Sequence, residues 1–158
     1  VSTFGVKASL KWPNDVMVGS RKLCGVLCEV VPTPAGNTVV AGWGVNVDQN
    51  ERELPIGAAT SVLMAGGVVD RSGLLVQMLQ SWERWYGRWE RRDASVPTTY
   101  VEYSDTLGRM VRAQLPDGGQ LEGLAAGISD SGGLVIADDG VHHEVAAADV
   151  VHLRAASP

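Results

Sequence analysis

A chain of 158 residues, 45% hydrophobic and 20% charged, can bury a sizeable core and falls among globular proteins of one domain or one and a half. Its net charge of −5 is unevenly placed, with ten basic and ten acidic side chains before Asp105 and three basic and eight acidic from there onward. A neutral body with an acidic end lacks the basic stripe that a phosphate backbone requires, so nucleic acid is not an expected partner. No apolar run approaches 18 residues and no charged-then-apolar leader is seen, so neither a membrane span nor export is expected, and the cytoplasm is the default compartment.

Residues 6–12 alternate loosely and stop at Pro13, which removes a backbone donor and closes a strand. Asn14 and Asp15 supply turn chemistry, Val16–Val18 reads as a short return strand, Gly19-Ser20 turns the chain again, and Leu23–Val31 is a longer β run. Such short connections predict an antiparallel meander. Residues 32–37 read as a loop and Thr38–Ala41 as a further strand running into Gly42-Trp43-Gly44-Val45-Asn46. Two glycines flanking one residue at a strand end mean close backbone packing or close approach of a ligand. Residues 48–57, with Pro55 and Gly57, are predicted as surface loop.

Asp70 is a good N-cap for a helix over about 71–92. Leu74, Leu75, Met78, Leu79, Trp82, Trp85, Tyr86 and Trp89 recur at three- and four-residue intervals and predict one buried helical face rather than a stacking platform for a ligand. A second short helix is expected near Tyr100–Ser104. From Leu107 the period changes to two. Runs at 109–115, 121–128, 134–137, 142–145 and 150–153 are separated by Asp117-Gly118-Gly119, Asp130-Ser131-Gly132-Gly133 and Asp139-Gly140, which are strong hairpin signals. Five short strands in so few residues predict a small SH3-like barrel.

General motifs for chemistry fail. Gly19-Ser20-Arg21-Lys22 lacks the upstream glycine and the following Ser or Thr of a phosphate loop, Gly42-Trp43-Gly44 lacks a third glycine and opens no helix, and no Gly-x-Ser-x-Gly elbow exists. His142 and His143 have no nearby cysteine and read as ordinary strand residues. Cys24 and Cys28, four apart, are too far for easy bridging along a strand and read as small buried hydrophobes. What remains is Lys11-Trp12-Pro13-Asn14-Asp15, then Lys22-Leu23-Cys24-Gly25-Val26-Leu27-Cys28-Glu29, where polar residues gather beside a turn between strands.

Those two stretches, followed by Gly42-Trp43-Gly44-Val45-Asn46 and Ala59-Thr60-Ser61-Val62, resemble in order and approximate spacing the signature of biotin protein ligases. The long helix and acidic terminal barrel are also similar to that family, so the resemblance covers nearly all of the chain. It implies an α+β fold: residues 1–104 as the C-terminal portion of the catalytic domain, with a mixed or antiparallel sheet and packed helices, and 105–158 as an SH3-like domain. The implied activity joins biotin to ATP, with magnesium, as biotinyl-5′-AMP. A lysine of a carboxylase's biotin carboxyl carrier domain then takes the biotinyl group.

By the same resemblance Lys22 is the cation beside the biotin carboxylate and α-phosphate, and Asn14 and Asn46 are nucleotide contacts. Asp15 is a magnesium or supporting carboxylate or, equally, a turn cap. Gly25, Gly42 and Gly44 let the flat ureido ring lie on backbone, and Val26 and Leu27 line the pocket for the apolar tail. Trp12 is expected to pack under the turn. The glycine- and arginine-rich loop that precedes Lys-Trp-Pro-Asn-Asp in that family does not occur here, and with Val1 in place of an initiator Met the chain is expected to be a C-terminal piece. Two other readings stand beside this one: a lipoate protein ligase, against which the Lys-Trp-Pro-Asn-Asp turn argues, and a non-catalytic module that docks an acceptor domain.

Overall fold

The computed structural model describes residues 4–54, 57–146 and 148–153; Val1–Thr3 and Pro55, on which some expectations fall, lie outside them. The chain divides into two compact units, one of Val1–Ser9 with Asn14–Gly87 and the other of Leu10–Pro13 with Arg88–Pro158. The division passes through the short strand β1 (Ser9–Lys11) and near the end of helix α1 (Arg71–Glu90).

In the first unit, β2 (Asp15–Val18), β3 (Arg21–Thr33) and β4 (Gly36–Val45) form the predicted antiparallel meander. Gly19, at φ 58, takes the left-handed conformation that the β2–β3 turn needs. β3 and β4 are longer than the apolar pattern suggests. Thr33 pairs with Gly36, leaving only Pro34 and Ala35 as the loop, because Pro32 and Thr33 continue the ladder that residues 32–37 were expected to interrupt. A lone parallel bridge between Lys22 and Ala59 makes the sheet locally mixed.

Phe4, Val6, Leu23, Val62 and Leu74 form the buried cluster of this unit, with Val45, Val47 and Met78 packed against it. Asp70 caps α1 as expected, its Oδ1 accepting the Gly73 N–H at 2.9 Å. Arg92, at φ 52, marks the turn that ends it. The expected single buried face is not what the helix shows. Its apolar residues form two neighbouring rows: Leu74 is buried and Met78 and Trp85 half-buried, whereas Leu75, Leu79, Trp82, Tyr86 and Trp89 are exposed. Trp82 meets Trp43 edge-on at 5.0 Å and stacks on Tyr86 at 5.5 Å. Periodicity gives the width of an apolar stripe but not how much of it a neighbouring surface covers.

The second unit contains α2 (Ser95–Tyr103), which starts earlier than expected; just before it Asp93 Oδ1 accepts the Ser95 N–H at 2.8 Å, which holds the carboxyl below the usual carboxylate range. Strands β5 (Met110–Gln114), β6 (Gln120–Ile128), β7 (Leu134–Asp138), β8 (Val141–Val145) and β9 (Asp149–His152) follow within two residues of the predicted runs, in the order β8-β7-β6-β5-β9. Asp139 and Gly140, at φ 46 and 82, make the two-residue turn that their sequence announces. Alternate residues Val111, Ala113, Ala125, Leu134, Ile136 and Val150 fill the barrel interior, and Trp12 joins them, 3% exposed. The indole N–H of Trp12 donates to Gly132 O at 3.1 Å, so the residue packs as expected of it, but into the barrel core rather than under the turn.

The backbone N–H of Trp12 donates to the hydroxyl of Thr106, fully buried, at 3.0 Å, and that hydroxyl lies 3.1 Å from His152 Nε2. Burial pushes the His152 pKa down, Arg109 and Lys11 add to the effect, and Asp105 opposes it. The folded state thus favours the neutral ring and the unfolded chain takes up the proton first. The stability this contributes is fully present above about pH 6.5, the unperturbed His value, and is lost as pH falls toward the lower folded-state pKa. Thermal unfolding followed from pH 7.5 down to pH 5 is expected to show this decline, and the His152→Gln variant to show a smaller one.

Candidate functional site

Cross-strand register decides which of the candidate residues share a face. Asp15 pairs with Gly25, Gly25 with Gly44, and Leu27 with Gly42, so these five lie on one face of the sheet. Val26, paired with Trp43, points to the other face, the one on which Trp43 meets Trp82 of α1. Val26 is therefore not brought together with the rest, and Leu27, 62% exposed, is the apolar side chain beside Gly25 and Gly42 on the open face.

Simple alternation would put Lys22 on the Val26 face. A β-bulge intervenes: Val16 pairs with Cys24 and Met17 with Lys22, leaving Leu23 as the extra residue. Leu23 goes into the core, fully buried, and Lys22 is turned onto the face of Asp15 and Gly25. The backbone of Lys22 is pinned there, its N–H donating to Ala58 O at 2.8 Å and its C=O accepting from Thr60 N–H at 2.9 Å. Nothing in the spacing of Ala59-Thr60-Ser61-Val62 marks it as the brace of this lysine; its place in the family resemblance is the one signal that it matters.

The Lys22 ammonium lies 2.5 Å from Asp15 Oδ1, with the lysine side chain 39% exposed and the aspartate 17%. Gly25 makes room for it, since a Cβ there would stand 3.1 Å from both Lys22 Cε and Nζ, closer than most side chains tolerate. Gly42 and Gly44 differ. A Cβ at either would find only a backbone carbonyl at 3.9 Å, an ordinary contact, and neither has positive φ. Packing among the described residues does not require glycine at these two exposed positions.

Asn14 is tied across the β2–β3 pair, its Nδ2 donating to Val26 O at 2.8 Å while Val26 N–H donates to Asn14 O at 2.8 Å. Asn46 follows the end of β4; its Nδ2 donates to Thr60 O at 2.9 Å, and its backbone bonds to Leu23 and Val62. Among the described residues, each amide keeps its carbonyl oxygen and one N–H for another partner. Cys24 is buried beside the pair. Burial pushes its thiol up, Lys22 pulls it down and Asp15 raises it again, so it packs as a neutral thiol. Cys28 is exposed, against expectation, because that part of β3 carries no covering element among the described residues. His142 and His143 are both exposed on β8.

Magnesium finds a poor donor set here. Among the described residues no three His, Cys, Asp or Glu side chains come together, and Asp15 is the one carboxylate beside Lys22. Its Oδ1 is buried and has the ammonium as its one partner among the described residues. A hard cation would have to displace Lys22 to reach it.

The fold and site define a class: an α+β scaffold presenting a lysine, two amides and a glycine-floored sheet face, followed by a small barrel. Two family models match the chain, the Biotin/lipoate A/B protein ligase family over residues 3–46 and the Biotin protein ligase C terminal domain over 106–153. The chain is 35% identical over 148 residues to the biotin–(acetyl-CoA-carboxylase) ligase of Mycobacterium tuberculosis, covering 94% of this chain and 54% of that protein. It is 28% identical over 152 residues to the bifunctional ligase/repressor BirA of Bacillus subtilis, covering 92% and 46%. The chain thus spans about half the length of these curated relatives.

Among solved structures, the biotin protein ligase of Aquifex aeolicus superposes with a TM-score of 0.82 at 25% identity, over 96% of this chain and 68% of that one. The same Aquifex enzyme in complex with biotin and ATP gives 0.79 at 24%, over 96% and 65%. The chain belongs to the biotin protein ligase family. Its fold is the α+β arrangement expected, with an SH3-like C-terminal domain.

Proposed function

We propose that this chain carries one wall of a biotinyl-adenylate site and that the protein bearing it ligates biotin, at the expense of ATP, to a lysine of a biotin carboxyl carrier domain. The observation that carries the reading is the open sheet face on which Lys22, Gly25, Leu27, Gly42 and Gly44 lie together. Two of these glycines have no reason among the described residues to be glycine, and a flat ring seated on backbone would supply one. Residues 105–158, as the SH3-like domain, then follow a catalytic portion over 1–104; the C-terminal family model, matched at 106–153, supports that boundary.

In this reading the Lys22 ammonium draws the biotin carboxylate and the α-phosphate together, screening two anions that would otherwise repel, and holds the charge that develops as pyrophosphate leaves. In the second half-reaction the same cation stabilises the carbonyl oxygen while the acceptor lysine attacks and AMP departs. Leu27 lies along the valeryl tail. Asn14 and Asn46 offer their remaining amide groups to the nucleotide, and Val26 supports the sheet from behind. Magnesium, as the nucleotide's companion, is given no ligand from this chain. The relative solved with biotin and ATP, and the relative whose printed name includes acetyl-CoA carboxylase, support these substrates and this class of acceptor. No described helix is long and apolar enough to cross a membrane, and we assign the reaction to the cytoplasm.

The test is ATP–pyrophosphate exchange by the protein that carries this sequence. Biotin is expected to drive exchange and lipoate to leave it at background. Exchange with lipoate alone would make the protein a lipoate ligase, and neither exchange nor biotin binding would leave it a docking module.

A further inference from the structure

We propose that Asp15 is the positioning residue of Lys22, holding its ammonium over the open face, and not a ligand of magnesium; this rests on the adenylation reading above. Four observations converge. The bulge at Leu23 turns Lys22 onto the face of Asp15, where simple alternation would send it to the other side. The Lys22 backbone is fixed on both sides by Ala58 and Thr60, so only the side chain remains to be placed. Asp15 takes that role at 2.5 Å, and Gly25, its cross-strand partner, leaves the gap through which the aliphatic stem passes. Asp15 Oδ1 is buried and, among the described residues, has no partner besides the Lys22 ammonium, so releasing Lys22 would strand its charge.

The arrangement solves a problem that a lone lysine poses. A flexible four-carbon stem with a strongly hydrated head samples many rotamers, and each approach of substrate would have to arrest it. An ammonium already ordered on a shielded carboxylate, on a side chain that stays 39% exposed, meets an incoming anion without that reorganisation. Asp15 therefore acts on the reaction through Lys22 and touches no substrate itself.

The experiment is a double-mutant cycle read by single-turnover adenylate formation at two magnesium concentrations. Asp15→Asn is expected to lose on the order of 10-fold and Lys22→Met about 100-fold, with the pair of changes costing no more than Lys22→Met alone, because residues acting as a unit are non-additive. Asp15→Glu, which keeps the charge, is expected to recover part of the loss. Multiplying losses, or rescue of Asp15→Asn by excess magnesium, would overturn the proposal in favour of a metal ligand.

A second measurement is independent of ligation. Acetic anhydride labelling of Lys22, quantified by mass spectrometry, is expected to run several-fold faster in Asp15→Asn, where the ammonium is no longer held against a carboxylate. Equal labelling in the two proteins, each checked for an unchanged melting temperature, would overturn the pairing even if biotin-driven exchange is intact. Faster labelling in a protein without that exchange would uphold the pairing and remove only the ligation reading.

Discussion

Replacing Lys22 with alanine is expected to slow adenylate formation by about 10²-fold or more, the scale on which loss of a preorganised charge at a developing anion is felt. The expectation rests on where the bulge at Leu23 puts the side chain. Lys22 is the cation that the β2–β3 register brings to the open face, ordered by Asp15 and braced through its backbone by Ala58 and Thr60. Removing the ammonium leaves carboxylate and α-phosphate to approach unscreened, so the loss belongs in the chemical step more than in biotin binding. Single-turnover formation of biotinyl-5′-AMP measures it directly. A rate within threefold of the parent would assign the charge stabilisation to another group. Because Lys22→Ala also strands the Asp15 carboxylate, a lower melting temperature is expected alongside the rate loss, and the two rates are compared where both proteins are folded.

The largest effect on stability is expected at Trp12. The residue is 3% exposed in the barrel core, its indole N–H is satisfied by Gly132 O, and its backbone N–H is satisfied by Thr106. Trp12→Ala removes a large apolar side chain from a packed interior and orphans the Gly132 carbonyl, which together should cost about 3–5 kcal/mol. Trp12→Phe keeps most of the burial and loses the hydrogen bond, and about 1–2 kcal/mol is expected. Urea unfolding of the two variants checks the order. Equal, small losses would mean that the ring is dispensable to the barrel. Trp12 also shows how one motif serves two ends: it stands two residues from Asn14, yet its side chain belongs to the C-terminal unit's core.

Sequence pattern alone made much of this architecture legible. The meander and all five barrel strands follow from Gly, Asp-Gly and period-two signals, and the helix from its Asp70 cap and three- and four-residue spacing, because turn and cap chemistry is local. The burial of the helical stripe was not legible, since Leu75, Leu79 and Trp82 share the spacing of Leu74 and Met78 and differ only in what lies opposite them. Residues 32–37 failed for a related reason: prolines and a glycine read as loop, but cross-strand pairing through Pro32 and Thr33 overrides composition.

At the candidate site the residue types were legible and their sidedness was not. Val26 and Leu27 looked equivalent as apolar neighbours of Gly25, and register separates them onto opposite faces. Lys22 would have been sent to the wrong face by counting, because a bulge leaves no mark in residue type. Asp15 could be read as turn cap or metal ligand, and the distance to Lys22 supplies the third role.

The claim at the centre of this account is that biotin lies on the open face of the β2–β4 sheet. Titrating biotin into the ¹⁵N-glycine-labelled protein and following its amide resonances tests it in one measurement. The account predicts shifts at Gly25, Gly42 and Gly44, with the barrel glycines Gly123, Gly127 and Gly140 unmoved. Shifts confined to the barrel glycines, or none at the three sheet positions at saturating biotin, would contradict it.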